Sequence, residues 1–293
     1  METKHLNDKH TEVLKLLWDA EQEILDAIDC FCHKYELKYS IAYGTLLGAV
    51  RHGGFIPWDD DVDIMMPRED YERFKKLWAE DTPRGFILQD EDIGNTYVNT
   101  FMKVRKDHTT FLQFESERNV PYQNGVFVDI FPLDRQAQGR IAQRIQQYEL
   151  MLNLLFNRGY VSGRGGLSGF CEKALLIIVP RRNYRKASLW FGKRSRRWND
   201  QKGSSLFVPC TMRSCRSMYP ADMFDRMQRI EFRGKKYDAV SDADRVLTIA
   251  YGDYMELPPE SEQVWRHHPI ILDLHRNFDE LSEEEQQGSF VSA

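Results

Sequence analysis

YGTLLGAVRHGGFIPWDDDVDIMMPR, residues 43–68, decides the fold. It starts with a small-residue turn, Gly44-Thr45, passes Arg51, His52 and the Gly53-Gly54 pair, and reaches Asp59-Asp60-Asp61-Val62-Asp63. Four carboxylates in five positions repel one another, and holding them together costs free energy unless a cation offsets it. Ile64-Met65-Met66 follow at once, so the acidic cluster leads into a buried strand. Alternate side chains of a strand share a face, so Asp61 and Asp63 point one way and Val62 the other, and Asp59 has the parity of the pair. Two carboxylates side by side on rigid backbone suit Mg²⁺, which takes one or two carboxylates and keeps positions for substrate phosphates. A small-residue turn ahead of them lets backbone N–H groups approach those phosphates.

The triplet acidic-x-acidic says little by itself. With 45 acidic residues in 293, chance supplies roughly seven such triplets. The order carries the information: apolar strand, Gly-Thr, a linker of about a dozen residues, then Asp-apolar-Asp-apolar. Val126-Phe127-Val128-Asp129-Ile130-Phe131 adds a buried strand with one lone acid, and a lone buried carboxylate needs a partner.

Gly44-Thr45, Asp61-Val62-Asp63-Ile64 and Val128-Asp129-Ile130, in that order, resemble the nucleotidyltransferase fold of the DNA polymerase β type. Within it, the wording YGTLLGAVRHGGFIPWDDDVDI resembles the LicD family, which includes bacterial phosphocholine transferases and animal fukutin-type ribitol-phosphate transferases. Tyr251-Gly252-Asp253-Tyr254-Met255-Glu256-Leu257-Pro258-Pro259 looks like that family's C-terminal signature, so the resemblance runs from about residue 36 to about residue 268. The resemblance implies an α+β core and a Mg²⁺-dependent phosphotransferase, with Mn²⁺ as the alternative ion. The donor would be CDP-choline or another CDP-alcohol. The acceptor would be a hydroxyl of a cell-surface glycan, teichoic acid or lipopolysaccharide, or of its lipid-linked precursor. Asp61 and Asp63 would hold metal, and Asp129 would bind a second ion or take the acceptor proton. Gly44, Thr45, Arg51, His52 and Lys103 would face the nucleotide's phosphates, Arg105 sharing a strand face with Lys103. Asp59, Asp60 and His267 would support them.

Each assignment has a plainer counterpart: an acidic turn for Asp61 and Asp63, a backbone-satisfied acid for Asp129, an ordinary strand-to-helix turn for Gly44-Thr45, surface residues for Arg51 and His267-His268. The rival functions are a true nucleotidyltransferase, which would attack a different phosphorus, and a catalytically silent glycan- or membrane-binding protein.

The chain is long enough for one large domain or two small ones. Its net charge of −5 gives no global affinity for nucleic acid. METKHLNDKH lacks the apolar segment of a signal peptide, the longest apolar run is too short to span a membrane, and five cysteines form no disulfide-like framework. A cytoplasmic protein is expected, peripheral at most to the inner face of the membrane. Cys30-x-Cys32 lies in a predicted helix and Cys210 and Cys215 stand apart from it, so no structural zinc site is expected.

Apolar residues from Leu14 to Tyr35 recur at helical spacing and predict a helix over 11–35. Short strands are expected at 38–43, 62–66, 86–89, 99–105, 110–114 and 126–131, with helices at 45–51, 68–80 and 140–157. Ser162–Gly169, SGRGGLSG, reads as a flexible break. We therefore expect a catalytic core over 1–160 and a mainly helical acceptor-side region over 161–293. The latter includes a hairpin around Gly234, a helix at 242–251 and a fraying acidic tail after Asp279. Between 181 and 198, eight Arg and Lys residues interleave with Tyr184, Leu189, Trp190, Phe191 and Trp198. That pattern fits an anionic membrane surface, an anionic glycan or a solvated helix face.

Overall fold

A computed structural model describes residues 2–90, 99–120, 123–161, 166–201, 205–210, 214–265 and 267–292. Ser162–Gly165 of the glycine-rich run lie outside the described residues. The chain divides into two compact units. The first comprises residues 1–89, 102–131 and 226–293, and the second 90–101 and 132–225. The units therefore part elsewhere than at the 160/161 boundary expected from the glycines. The reason is topological: the last 68 residues return to the acid-bearing unit instead of extending a helical region.

The first unit begins with α1 (Glu2–Lys34), whose apolar stripe buries Leu17, Ile24, Leu25, Ile28 and Phe31. β1 (Ser40–Ile41) leads into α2 (Tyr43–His52), which ends on Gly53 in the left-handed region at φ 69°, its N–H bonded to Ala49 O. That cap is available to glycine without steric cost. β2 (Asp63–Pro67) follows the acidic run, and α3 (Arg68–Glu80) sets in at the proline, burying Tyr71, Phe74 and Trp78. β3 (Phe86–Gln89), β4 (Met102–Lys106), β5 (Thr110–Leu112) and β6 (Phe127–Arg135) come next. The central sheet has the order β1-β2-β6-β4-β3. It sets β2 beside β6, with Asp129 N–H donating to Val62 O at 2.9 Å, and so brings the acidic segments together. The boundary between units falls inside β6, after Phe131.

In the second unit, α4 (Arg140–Arg158), α5 (Gly166–Ile178) and α6 (Tyr184–Ser195) are joined by a short strand, β7 (Leu206–Phe207), paired with the end of β6. α4 and α6 pack through Ser188, whose Oγ donates to Asn153 Oδ1 at 2.7 Å. Glu149 of α4 is buried and accepts from Arg194 Nε at 2.9 Å and Arg197 Nη1 at 2.5 Å.

Returning to the first unit, β8 (Met227–Phe232) and β9 (Lys235–Val240) form the expected hairpin, with Gly234 at φ 77°. Asp242 caps α7 (Ala243–Tyr251) by accepting from Arg245 N. β10 (Ile271–Asp273), α8 (Glu283–Gln287) and β11 (Phe290–Ser292) complete the chain. The tail does not fray as expected: β11 pairs in parallel with β10, and β10 antiparallel with β5. Leu281 packs on Leu112 and Ile271, Ser282 and Glu285 form a capping box, and Arg118 Nη2 donates to Gly288 O at 2.8 Å. Strands β7 to β11 lie within 161–293 beside helices α5 to α8. No helix among the described residues is long and apolar enough to cross a membrane.

Candidate active site

α2, the loop before β2 and the segment after α7 enclose a cleft of about 750 Å³, within the roughly 300–1,000 Å³ range of ligand sites. Asp59, Asp61 and Asp63 line one part of it, and Tyr251, Asp253, Tyr254, Glu256 and Glu262 another. Asp61 and Asp63 share the cleft while Val62 between them is fully buried, as the strand period requires. Burial raises the Asp61 pKa to about 6, with Asp60 and Asp129 adding to the rise and His267 opposing it. Burial and the neighbouring charges of Asp61, Asp129 and Asp59 push Asp63 well above the usual carboxylate range. Carboxylates held together at this cost are the donor set a hard divalent cation takes. The residues present therefore fit Mg²⁺ or Mn²⁺.

The supporting residues have divided roles. Asp60, 1% exposed, accepts from Trp265 Nε1 and from His267 N at 3.0 Å, and His267 Nδ1 lies 3.1 Å from its Oδ1. His267 also stands 3.7 Å from Asp61 Oδ2 and lines the cleft. Burial lowers the His267 pKa, but the bond to Asp60 and the charges of Asp61 and Asp60 outweigh it and hold it above its ordinary value. Among the described residues, Asp60, Asp61 and His267 are one of two groups compact enough to ligate an ion together; the other, Asp29, His33 and Asp238, is bridged by Arg229. Asp59 approaches the helix start closely: a Cβ on Gly44 would meet Asp59 Oδ2 at 2.3 Å, so only glycine leaves that carboxylate in place. Tyr43 sits at φ 43°, uncommon for a residue with a side chain, and its ring meets Phe131 edge-on at 5.4 Å in the cleft wall.

Several residues expected at the phosphates are engaged elsewhere. Thr45 is buried, and its Oγ1 accepts the Asp63 N–H at 2.8 Å, tying α2 to β2. Lys103 is 7% exposed and donates to Asp129 Oδ1 at 2.5 Å from above the Phe127 ring. Burial lowers the Lys103 pKa and Asp129 raises it in part. Asp129 is thus the charge partner of Lys103, and its charge acts on Asp61 and Asp63 as well. Arg105 shares the Phe127 face and donates to Gln89 Oε1 and Gly125 O. Arg51 does line the cleft, but its Nη1 donates to Tyr254 O at 2.7 Å and to Glu256 O at 3.4 Å. His52 is exposed and accepts from Arg51 Nε.

Glu21 escaped the sequence reading. It lies in the apolar stripe of α1, 2% exposed, with Oε2 lacking a hydrogen-bond partner. A lone acid on the buried face of an amphipathic helix was the available signal. Burial raises its pKa well above 4.5, and Asp61, Asp60, Asp59 and Asp63 add to the rise. A carboxyl whose pKa is raised on folding contributes most below its unfolded pKa, and that contribution is lost as pH rises toward the folded value. Glu21→Gln should therefore melt higher than the parent protein in EDTA at about pH 8. The difference should close toward pH 4.5, the ordinary glutamate value. Equal melting curves across this range would show that Glu21 carries no such penalty.

The family described as LicD/FKTN/FKRP, nucleotidyltransferase domain, matches residues 36–152. Lipopolysaccharide cholinephosphotransferase LicD of Haemophilus influenzae is 28% identical over 261 residues, which is 83% of this chain and 92% of that protein. An uncharacterized protein of Rickettsia prowazekii is 33% identical over 113 residues, 37% of this chain and 42% of that protein. Human ribitol 5-phosphate transferase FKRP is 27% identical over 143 residues, 43% of this chain and 28% of that protein. This chain thus spans nearly all of the first and under half of the other two.

Proposed function

Because the chain is a LicD-family phosphotransferase, we propose that it transfers a phospho-alcohol, phosphocholine by default, from a CDP-alcohol to a hydroxyl of a cell-surface glycan or its lipid-linked precursor, releasing CMP. The supporting observation is the cleft itself, with paired carboxylates Asp61 and Asp63 on one wall and an aromatic, acidic segment on another. The sheet that sets β2 beside β6 is read as the polymerase β type of nucleotidyltransferase core.

The acceptor oxygen attacks the phosphorus distal to the cytidine, the P–O bond to CMP breaks so that CMP leaves with the bonding electron pair, and the hydroxyl proton passes to water. Asp61 and Asp63 would hold the divalent ion. When bound, that ion supplies positive charge to the diphosphate and lowers the cost of the charge that develops on the departing oxygen. His267, whose pKa the neighbouring acids hold above its ordinary value, stands on the same wall. Arg51 positions the opposite wall by holding the carbonyls of Tyr254 and Glu256. The rings of Trp58, Tyr251 and Tyr254 with the carboxylates of Asp253, Glu256 and Glu262 offer a quaternary ammonium both π-faces and counter-charge. This favours choline over a neutral polyol. A cytoplasmic setting belongs to the same proposal.

The test incubates the protein and Mg²⁺ with CDP-choline, CDP-ethanolamine, CDP-ribitol or CDP-glycerol, and follows CMP release to water. CDP-choline should turn over fastest and EDTA should stop it. Pyrophosphate release from a nucleoside triphosphate, with no CMP from any CDP-alcohol, would replace this reading with nucleotidyl transfer.

A further inference from the structure

α5 is turned inside out for a helix facing water. Its acid, Glu172, is buried and pairs with Arg158 at 3.3 Å, and one turn on, Leu176 O accepts from the Tyr184 hydroxyl. The opposite side carries Phe170, Ile177 and Ile178 at 69, 73 and 75% exposure. Spacings of seven and eight residues put these three on one helical face. The helix stops at Ile178, and Arg181 and Arg182 follow, both exposed, with Lys173, Lys186 and Lys193 exposed on the neighbouring helical turns. Trp190 of α6 is 53% exposed, with the Arg194 guanidinium 4.8 Å from its ring centre.

The charge is as uneven as the apolar surface. Residues 169–201 hold nine lysines and arginines against two acids, a surplus of seven; the whole chain is −5, so the remainder is −12. A solvated helix needs no exposed isoleucines, and a polyanion such as nucleic acid would leave them in water. A second copy of the chain would bring the same positive surplus against itself. Isoleucine and tryptophan beside arginine and lysine match an anionic bilayer, where apolar tips enter the acyl boundary and basic side chains reach the phosphates.

We propose that the α5 face, Phe170, Ile177 and Ile178 with Arg181, Arg182 and Trp190, is a docking surface for anionic lipid bilayers. This goes beyond the transfer reaction and does not rest on it. Arg194 and Arg197 contribute charge but are unsuitable probes, because they hold the buried Glu149.

The test is co-sedimentation of the full chain with vesicles of phosphatidylglycerol and phosphatidylcholine, and of phosphatidylcholine alone. Binding should require phosphatidylglycerol and weaken between about 50 mM and about 0.5 M salt. Arg181→Gln/Arg182→Gln should lower the partition constant about thirtyfold, at roughly 1 kcal/mol per basic residue. Ile177→Ser/Ile178→Ser should lower it at least about tenfold. Both variants change exposed side chains, so their melting temperatures should match the parent's, and each pair stands as a test if the other fails to fold. The proposal is overturned if the parent chain does not bind anionic vesicles at low salt. It is overturned equally if the isoleucine variant binds as well as the parent, or if the face proves to mediate a dimer that the isoleucine variant dissolves.

Discussion

Replacing Asp61 or Asp63 with asparagine should lower CMP release by at least about 10³-fold while raising the melting temperature in EDTA. The two effects have one cause. An amide cannot supply the negative charge that would hold the proposed divalent ion, so transfer should fail. The same change removes a buried carboxyl whose pKa stands above its unfolded value: about 6 for Asp61, and well above the usual range for Asp63. Such a group stabilises least at high pH: its contribution is complete below about pH 4 and is lost as pH climbs through the folded value. The gain in melting temperature should accordingly be larger at about pH 8 than at about pH 5, and saturating Mg²⁺ should favour the parent protein and shrink the gap. Near-parental turnover in both variants would remove these residues from the mechanism.

The second large effect is on stability. Lys103→Met should destabilise the protein by about 3–5 kcal/mol in urea, because Asp129 would be left buried beside Asp61 and Asp63 with no counter-ion. Adding Asp129→Leu should recover most of the loss, since two apolar groups replace two charges. If Lys103→Met alone costs under about 0.5 kcal/mol, the pair is not what offsets the buried charge of Asp129.

What the sequence disclosed followed from local rules. α3 begins at Arg68 because a proline precedes it, and the Asp61/Val62/Asp63 alternation follows from strand geometry alone. What stayed hidden depends on register. Lys103 faces Asp129 because β4 and β6 pair antiparallel with those residues opposed, and a slip of one position would have turned either to the other face. The tie made by the Thr45 hydroxyl was hidden for a related reason: it answers to whichever backbone passes beside it, here the N–H of Asp63. The partners of Arg51 lie 203 and 205 residues away and are carbonyls, which no side-chain pattern encodes. The tail after Asp279 looked too polar to order, yet Leu281 and the Ser282–Glu285 box anchor it.

The bond from Trp265 to Asp60 spans 205 residues, and that from His267 spans 207. On the ribosome this distance is time. At about 5–20 residues per second, the acidic strand waits on the order of 10–40 s for the residues that bond to Asp60. Through that interval a nascent chain already holds every aspartate of the cluster, but neither Tyr254 nor His267 to close the cleft. The protein therefore gains its site only in the last part of its synthesis, and a chain released early carries the acids without the enzyme.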